Sequence, residues 1–118
     1  MKRLLFALAL ISLLVAACGG AGQAESPLAT PPVLPLAQQR AFEASRDALA
    51  KELEVDPSTI ELVQVTPQDW SDGCLGLGGP EESCLAVITP GYLVTLEADG
   101  KQYEARTNQD ATVVRLDL

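Results

Sequence analysis

The short apolar run from Leu4 to Ala17 is the feature that most constrains this chain, because it leaves only the remainder of a 118-residue sequence to fold. The run follows the basic pair Lys2 and Arg3 and ends in two alanines before Cys18. A basic start, an apolar core and small residues at the end are typical of an export signal peptide. The run is too short for a spanning helix, which needs about 20 apolar residues. We therefore predict a signal peptide over residues 1–17.

The end of this run, Val15-Ala16-Ala17-Cys18, resembles the bacterial lipobox. In lipobox proteins the cysteine thiol receives diacylglycerol, a peptidase cuts before the cysteine, and the new amino group is often acylated. The resemblance implies that Cys18 is the lipid-anchored first residue of a protein on the outer face of a bacterial cell membrane or outer membrane. Val15 stands where leucine is usual, and the alternative is an ordinary signal peptide followed by a chance cysteine.

The remaining cysteines are predicted to form a disulfide. Of three cysteines in the chain, Cys18 is assigned to lipid, which leaves Cys74 and Cys84 as one pair in an oxidising compartment. The alternative is a zinc site, which needs four ligands, and two cysteines in a chain with no histidine do not supply them. We expect no metal and no cofactor.

The charge of the chain excludes one class of partner. Removal of Lys2 and Arg3 with the signal peptide takes the net charge from −8 to about −10. A field of this sign repels nucleic-acid phosphates and anionic lipid headgroups. We therefore expect that the protein does not bind nucleic acid. The expected partners are the membrane, which the protein contacts through its lipid anchor, and an envelope protein.

Residues 18–36 are predicted to be a tether, and residues 37–118 a globular domain. The tether is rich in Gly, Ala and Pro and cannot bury a core. Extended at roughly 3.1 Å per residue, it reaches about 50 Å at most. We expect it to lift the domain clear of the membrane surface.

The domain is predicted to be α+β, with one amphipathic helix packed on an antiparallel meander of three to five strands and one disulfide-closed loop. The helix is expected at 37–53, where Ala41, Ser45 and Leu49 fall on one apolar stripe. Asp56 is expected to cap a short turn at Pro57. Asp99-Gly100 is a strong two-residue hairpin signal. Strands are predicted at 60–66, 85–89, 92–98, 101–107 and 112–118.

A pattern in the domain resembles a group of short secreted or lipid-anchored bacterial proteins that is uncharacterised. It consists of Trp70-Ser71-Asp72-Gly73-Cys74-Leu75-Gly76-Leu77, then Cys84, then Ile88-Thr89-Pro90-Gly91-Tyr92, and then Tyr103-Glu104-Ala105-Arg106-Thr107. The resemblance covers about the last 80 residues and implies a domain without a stated activity. The order of helix and meander is also similar to that of PepSY-like domains, which are extracytoplasmic modules associated with protease regulation, and this is an analogy of fold only.

The residue types argue against an enzyme. Without histidine, neither a Ser-His-Asp triad nor a Cys-His pair is possible. Carboxylates cluster around the predicted disulfide loop, and they suggest calcium binding or, as an alternative function, a small hydrolase. These carboxylates belong to Asp69, Asp72, Glu81 and Glu82.

The candidate binding residues are Trp70, Leu75 and Leu77, which the predicted disulfide would hold in a rigid loop. Apolar side chains on a rigid loop lose little entropy on binding, and Trp is a common hot-spot residue. The alternative is that Trp70 packs at the sheet edge against the Cys74–Cys84 bridge. We therefore expect a lipid-anchored, non-catalytic binding or regulatory module, with a structural envelope lipoprotein as the alternative.

Overall fold

The computed structural model describes residues 33–118. These residues form helix α1, a single 3-10 turn and four strands, which confirms the α+β prediction. The predicted signal peptide, Cys18 and the tether up to residue 32 lie outside the described residues. The elements are α1 (Leu36–Leu53), the 3-10 turn (Pro57–Thr59), β1 (Glu61–Trp70), β2 (Thr89–Ala98), β3 (Lys101–Asn108) and β4 (Val114–Asp117).

Helix α1 begins one residue before its predicted start and ends where predicted. It ends because Glu54 adopts a left-handed backbone conformation with φ 54°, and the Glu54 N–H bonds to the carbonyl of Ala50. Ala41, Ser45 and Leu49 are fully buried, so the predicted apolar stripe is the face that packs on the sheet. The helix is therefore held mainly by tertiary packing of this face.

The turn after the helix forms as the sequence predicts. The Ser58 N–H donates to the Asp56 carboxylate at 2.8 Å, which caps the 3-10 turn that begins at Pro57. Hydrogen bonding with the Ser58 side chain, and then with this Ser58 N–H, lowers the pKa of Asp56. The capped turn leads the chain into β1.

The strands form one antiparallel meander in the order β1-β2-β3-β4. Asp99 and Gly100 join β2 to β3 with φ values of 53° and 75°, the paired positive φ values that a tight two-residue hairpin requires. On one face of the sheet, Val94, Leu96 and Ala105 are fully buried and form the core with α1. The opposite face carries the side chains that alternate with these residues.

The carboxyl end of helix α1 lies near the β2–β3 hairpin. Leu53, at the end of α1, lines the same surface depression as Ala98, Asp99 and Tyr103, next to the β2–β3 hairpin. An 18-residue helix is about 27 Å long. It is therefore nearly as long as the ten-residue strand β1, which spans about 33 Å.

The predicted strand at 85–89 is wrong for its first four residues, because only Thr89 belongs to a strand. The Val87 N–H bonds to the carbonyl of Leu85 at 2.9 Å, and this tight turn interrupts an extended run. The same Leu85 carbonyl accepts the N–H of Gly73 at 2.8 Å. Within residues 33–118, no helix is long and apolar enough to cross a membrane.

Candidate functional site

The segment between β1 and β2, residues 71–88, forms a closed loop at one end of the sheet. We refer to it as the disulfide loop, because Cys74 and Cys84 are bonded to each other within it, as predicted. Asp72 organises its first turn, since its Oδ1 accepts the N–H of Cys74 at 2.9 Å and the N–H of Gly76 at 3.0 Å. The loop is thus fixed by a covalent bond and by local hydrogen bonds.

Two arginines of the sheet hold the disulfide loop against the face opposite the helix. Arg106 and Arg115 are register partners in β3 and β4, so their side chains point to the same face. The adjacent register pair, Ala105 and Leu116, packs in or against the helix-facing core. The arginines therefore point away from the helix, which places the disulfide loop on the other side of the sheet.

Arg106 contacts three separate parts of this region. Its Nη1 donates to the carbonyl of Leu75 at 3.0 Å, and its Nη2 donates to the Asp117 carboxylate at 3.2 Å. The guanidinium carbon also lies 4.8 Å from the centre of the Trp70 ring, a cation–π distance. A Cβ on Gly76 would lie 2.9 Å from Arg106 Nη1, so the absence of a side chain at Gly76 lets the arginine approach.

Arg115 anchors the second half of the loop. Both of its terminal nitrogens donate to the Glu82 carboxylate, which is a bidentate pair. This pairing, with a hydrogen bond from the Gly79 N–H, lowers the pKa of Glu82 to about 2. The Glu82 carboxylate in turn raises the pKa of Arg115. The pair therefore remains ionised at neutral pH and ties the loop to β4.

The expectation that Trp70 and Leu75 are presented to solvent is wrong. Trp70 is 7% exposed and Leu75 is fully buried, whereas Leu77 is half-buried. Trp70 is drawn inward because its indole N–H bonds to the carbonyl of Thr107, 37 residues further along the chain. Its burial agrees with the alternative prediction, in which Trp70 packs at the sheet edge against the Cys74–Cys84 bridge, although its hydrogen bond and its cation–π contact are with Thr107 and Arg106.

The apolar side chains that are exposed in this region belong to Leu85, Val87 and Ile88, and we call them the apolar rim. Their exposed fractions are 73%, 48% and 64%. They follow directly after Cys84, so the disulfide fixes one end of the rim, and the start of β2 fixes the other. Sequence reasoning missed the rim because a short aliphatic run has the composition of a buried strand.

A family model matches residues 42–116, which cover the helix from Phe42, the disulfide loop and nearly all of the sheet. Its description is domain of unknown function (DUF8738). The chain belongs to this family. The resemblance to an uncharacterised group is confirmed to that extent. No curated protein and no solved structure matches the chain.

Two of the four carboxylates considered as possible calcium ligands already have protein partners in the DUF8738 domain. Asp72 accepts two backbone N–H groups, and Glu82 pairs with Arg115. The Asp72 carboxylate also lies within 4.8 Å of the sulfurs of Cys74 and Cys84. Those sulfurs are joined to each other, and metals bind the thiolate form of cysteine. The geometry of the loop is thus explained by its internal hydrogen bonds and its disulfide.

A second concave surface of the DUF8738 domain lies between helix α1 and the edge strand β4. It is an open groove of about 820 Å³ with mixed polar and apolar walls. Lys51 and Glu52 of α1 stand on one side, and Arg115 and Leu118 stand on the other. Arg115 is already paired with Glu82, so its cationic group is committed to the disulfide loop. The groove is therefore a weaker candidate for a binding site than the rim.

Proposed function

We propose that this chain is a lipid-anchored, extracytoplasmic and non-catalytic module that acts by contact, with the apolar rim as its contact surface. Residues 1–17 direct export, Cys18 holds the lipid, and the tether carries the DUF8738 domain. The observation that supports this function best is the exposure of Leu85, Val87 and Ile88 on a loop fixed by a disulfide.

The rim is both exposed and rigid, and this combination suits a contact surface. Single exposed apolar side chains are common on proteins, but three within four residues form a local patch. The disulfide and the Glu82–Arg115 pair restrict the loop before any partner is bound. A preorganised loop has less conformational entropy to lose on binding, which favours contact.

The proposed location outside the cytoplasm is inferred from the cysteines of the chain. Cys74 and Cys84 form a bridge, and such bridges persist in oxidising compartments outside the cytoplasm. With these two paired, Cys18 is the remaining cysteine of the chain, and it directly follows the apolar run. Two or more acyl chains on a cysteine hold a protein stably on a bilayer.

The anchor is tested by metabolic labelling with radioactive palmitate in a bacterial host that processes lipoproteins. We expect the wild-type chain to take up label and to sediment with membranes, and Cys18→Ser to lose both properties. The double variant Cys74→Ser/Cys84→Ser is the matched control, because it also replaces cysteines by serine but should keep the label. Equal labelling of Cys18→Ser and the wild type would refute the anchor.

The contact surface is tested by placing a photo-crosslinking amino acid at Val87 in cells. Val55 is the matched control position, because it is also a valine, is 40% exposed, and lies near the β2–β3 hairpin at the other end of the domain. We expect adducts, whether to lipid or to protein, from position 87 and few from position 55. Equal yields at both positions would show that the rim is not the contact surface.

A further inference from the structure

The apolar rim lies at the end of the sheet opposite the β2–β3 hairpin, because the disulfide loop joins the end of β1 to the start of β2. Val33 and Leu36 are themselves strongly exposed apolar residues. Exposed apolar side chains thus occur both on the rim and where the described part of the chain begins.

We infer that the rim docks on the lipid bilayer itself, so that the domain lies against the membrane with its β2–β3 hairpin pointing away. This inference rests on the proposed lipid anchor and on the proposed role of the rim. It commits the rim to one occupant, the interfacial region of a bilayer, into which Leu85, Val87 and Ile88 insert.

The length of the tether makes such docking favourable. Residues 19–32 separate Cys18 from the first described residue, Val33, and at roughly 3.1 Å per residue they span at most about 45 Å. A lipid on Cys18 keeps Val33 within this distance of the bilayer, and the rim belongs to the domain that begins there. Docking is then an intramolecular step at a high effective concentration, so a weak contact suffices. The tether permits the domain to stand away from the membrane, as the sequence analysis expects, but does not impose it.

The chemistry of the rim fits a bilayer better than a protein surface. No charged residue occurs between Cys84 and Leu96, so the insertion of the rim buries no charge from that stretch. The rim is aliphatic, whereas protein hot spots are enriched in Trp, Tyr and Arg, and Trp70 is buried. A stable protein interface also uses about 20 residues on each side, far more than the rim supplies.

The charges around the rim determine which lipid composition favours docking. Glu81 and Asp69 are exposed near the loop and add to a net charge of about −10 for the mature chain. This charge opposes a second copy of the chain and anionic headgroups alike. We therefore expect docking to be stronger on zwitterionic phosphatidylcholine than on bilayers rich in phosphatidylglycerol, and the difference to shrink at high salt.

The experiment uses the mature lipidated chain, reconstituted on phosphatidylcholine vesicles that contain brominated lipids. Val87→Trp places a fluorophore in the rim, and Val55→Trp is the matched control at the other end. The buried Trp70 contributes the same background to both variants and is measured in the wild type. Because bromine quenches only nearby tryptophans, we expect at least twofold stronger quenching for Val87→Trp than for Val55→Trp, with a blue shift of its emission.

Two further measurements separate the possible failures. Sedimentation with the vesicles reports the lipid anchor independently of the rim, so a chain that stays in solution refutes the proposed function. A chain that sediments but shows equal quenching at positions 87 and 55 overturns the docking inference alone. Ile88→Trp repeats the test in case Val87→Trp fails to fold, as judged by circular dichroism. Crosslinks from position 87 to a protein in cells, without quenching on vesicles, would also overturn bilayer docking.

Discussion

The indole N–H of Trp70 donates a 2.9 Å hydrogen bond to the main-chain carbonyl of Thr107, although β2 lies between the strands that carry the two residues. The bond is possible because Gly91 stands in the intervening strand. A Cβ at Gly91 would lie 1.8 Å from the Thr107 oxygen and 2.8 Å from the indole nitrogen. This contact fixes the end of β1, from which the disulfide loop begins.

Gly91→Ala is expected to destabilise the domain strongly. The added methyl group meets backbone that cannot move without breaking the pairing of β2 with β3, so the cost should reach about 3 kcal/mol or more. Urea denaturation followed by Trp70 fluorescence measures the change. Gly100→Ala is the control, because its Cβ would meet no atom within 4 Å and only its φ of 75° resists the substitution. If Gly91→Ala were more stable to urea than Gly100→Ala, this account would be contradicted.

Trp70→Phe is expected to lower the free energy of unfolding by about 1–3 kcal/mol. The phenyl ring cannot donate to Thr107, which leaves a carbonyl without its partner, and it offers Arg106 a smaller surface. The measurement is urea denaturation followed by far-UV circular dichroism, since the variant removes the tryptophan of the chain. An unchanged free energy of unfolding would mean that the hydrogen bond makes no net contribution to stability.

Loss of the disulfide is expected to cost about 3 kcal/mol in the chain-entropy model, because the bridge closes a short loop. The variant Cys74→Ser/Cys84→Ser and the wild type under reducing conditions should show the same loss in urea denaturation. The proposed rim should also lose rigidity, so crosslinking from position 87 should become less selective. A wild type that is equally stable with and without reductant would exclude this role of the bridge.

Because of the Glu82–Arg115 pair, we expect the free energy of unfolding to depend on pH in the acid range. The folded state lowers the pKa of Glu82 from 4.5 to about 2, so its stabilising contribution is fully present above pH 4.5 and is lost as the pH falls through 2. We expect stability to fall more steeply between these values in the wild type than in Glu82→Gln. Glu81→Gln is the control, since it removes a neighbouring charge without touching Arg115. Parallel curves for the wild type and Glu82→Gln would contradict the pairing.

Local signals account for the parts of the fold that the sequence predicts well. Asp99-Gly100 specifies its hairpin because these two positions need positive φ, and Asp56 specifies its cap through a hydrogen bond two residues away. The helix follows from the three- and four-residue spacing of its buried positions. Each of these signals acts over a few residues and is therefore legible in the sequence.

The disulfide loop shows where this reasoning fails. Trp70 and Leu75 have the composition of a binding loop but are buried, whereas the run that begins at Leu85 has the composition of a buried strand but is exposed. Burial here depends on Arg106, which comes from a distant strand and contacts both Trp70 and the Leu75 carbonyl. The pairing of such distant residues has no local signature.

By itself, the sequence determined the α+β class, the helix, the hairpin and the Cys74–Cys84 pair, because periodicity, turn chemistry and cysteine count are properties of short stretches or of composition. Only the tertiary structure decided which side of the disulfide loop is buried and which is exposed. That choice depends on Arg106 and Arg115, which become neighbours when β3 pairs with β4 and then bind the Leu75 carbonyl and the Glu82 carboxylate of the loop. The apolar rim is what remains outside this contact, and its exposure is a consequence of the fold as a whole.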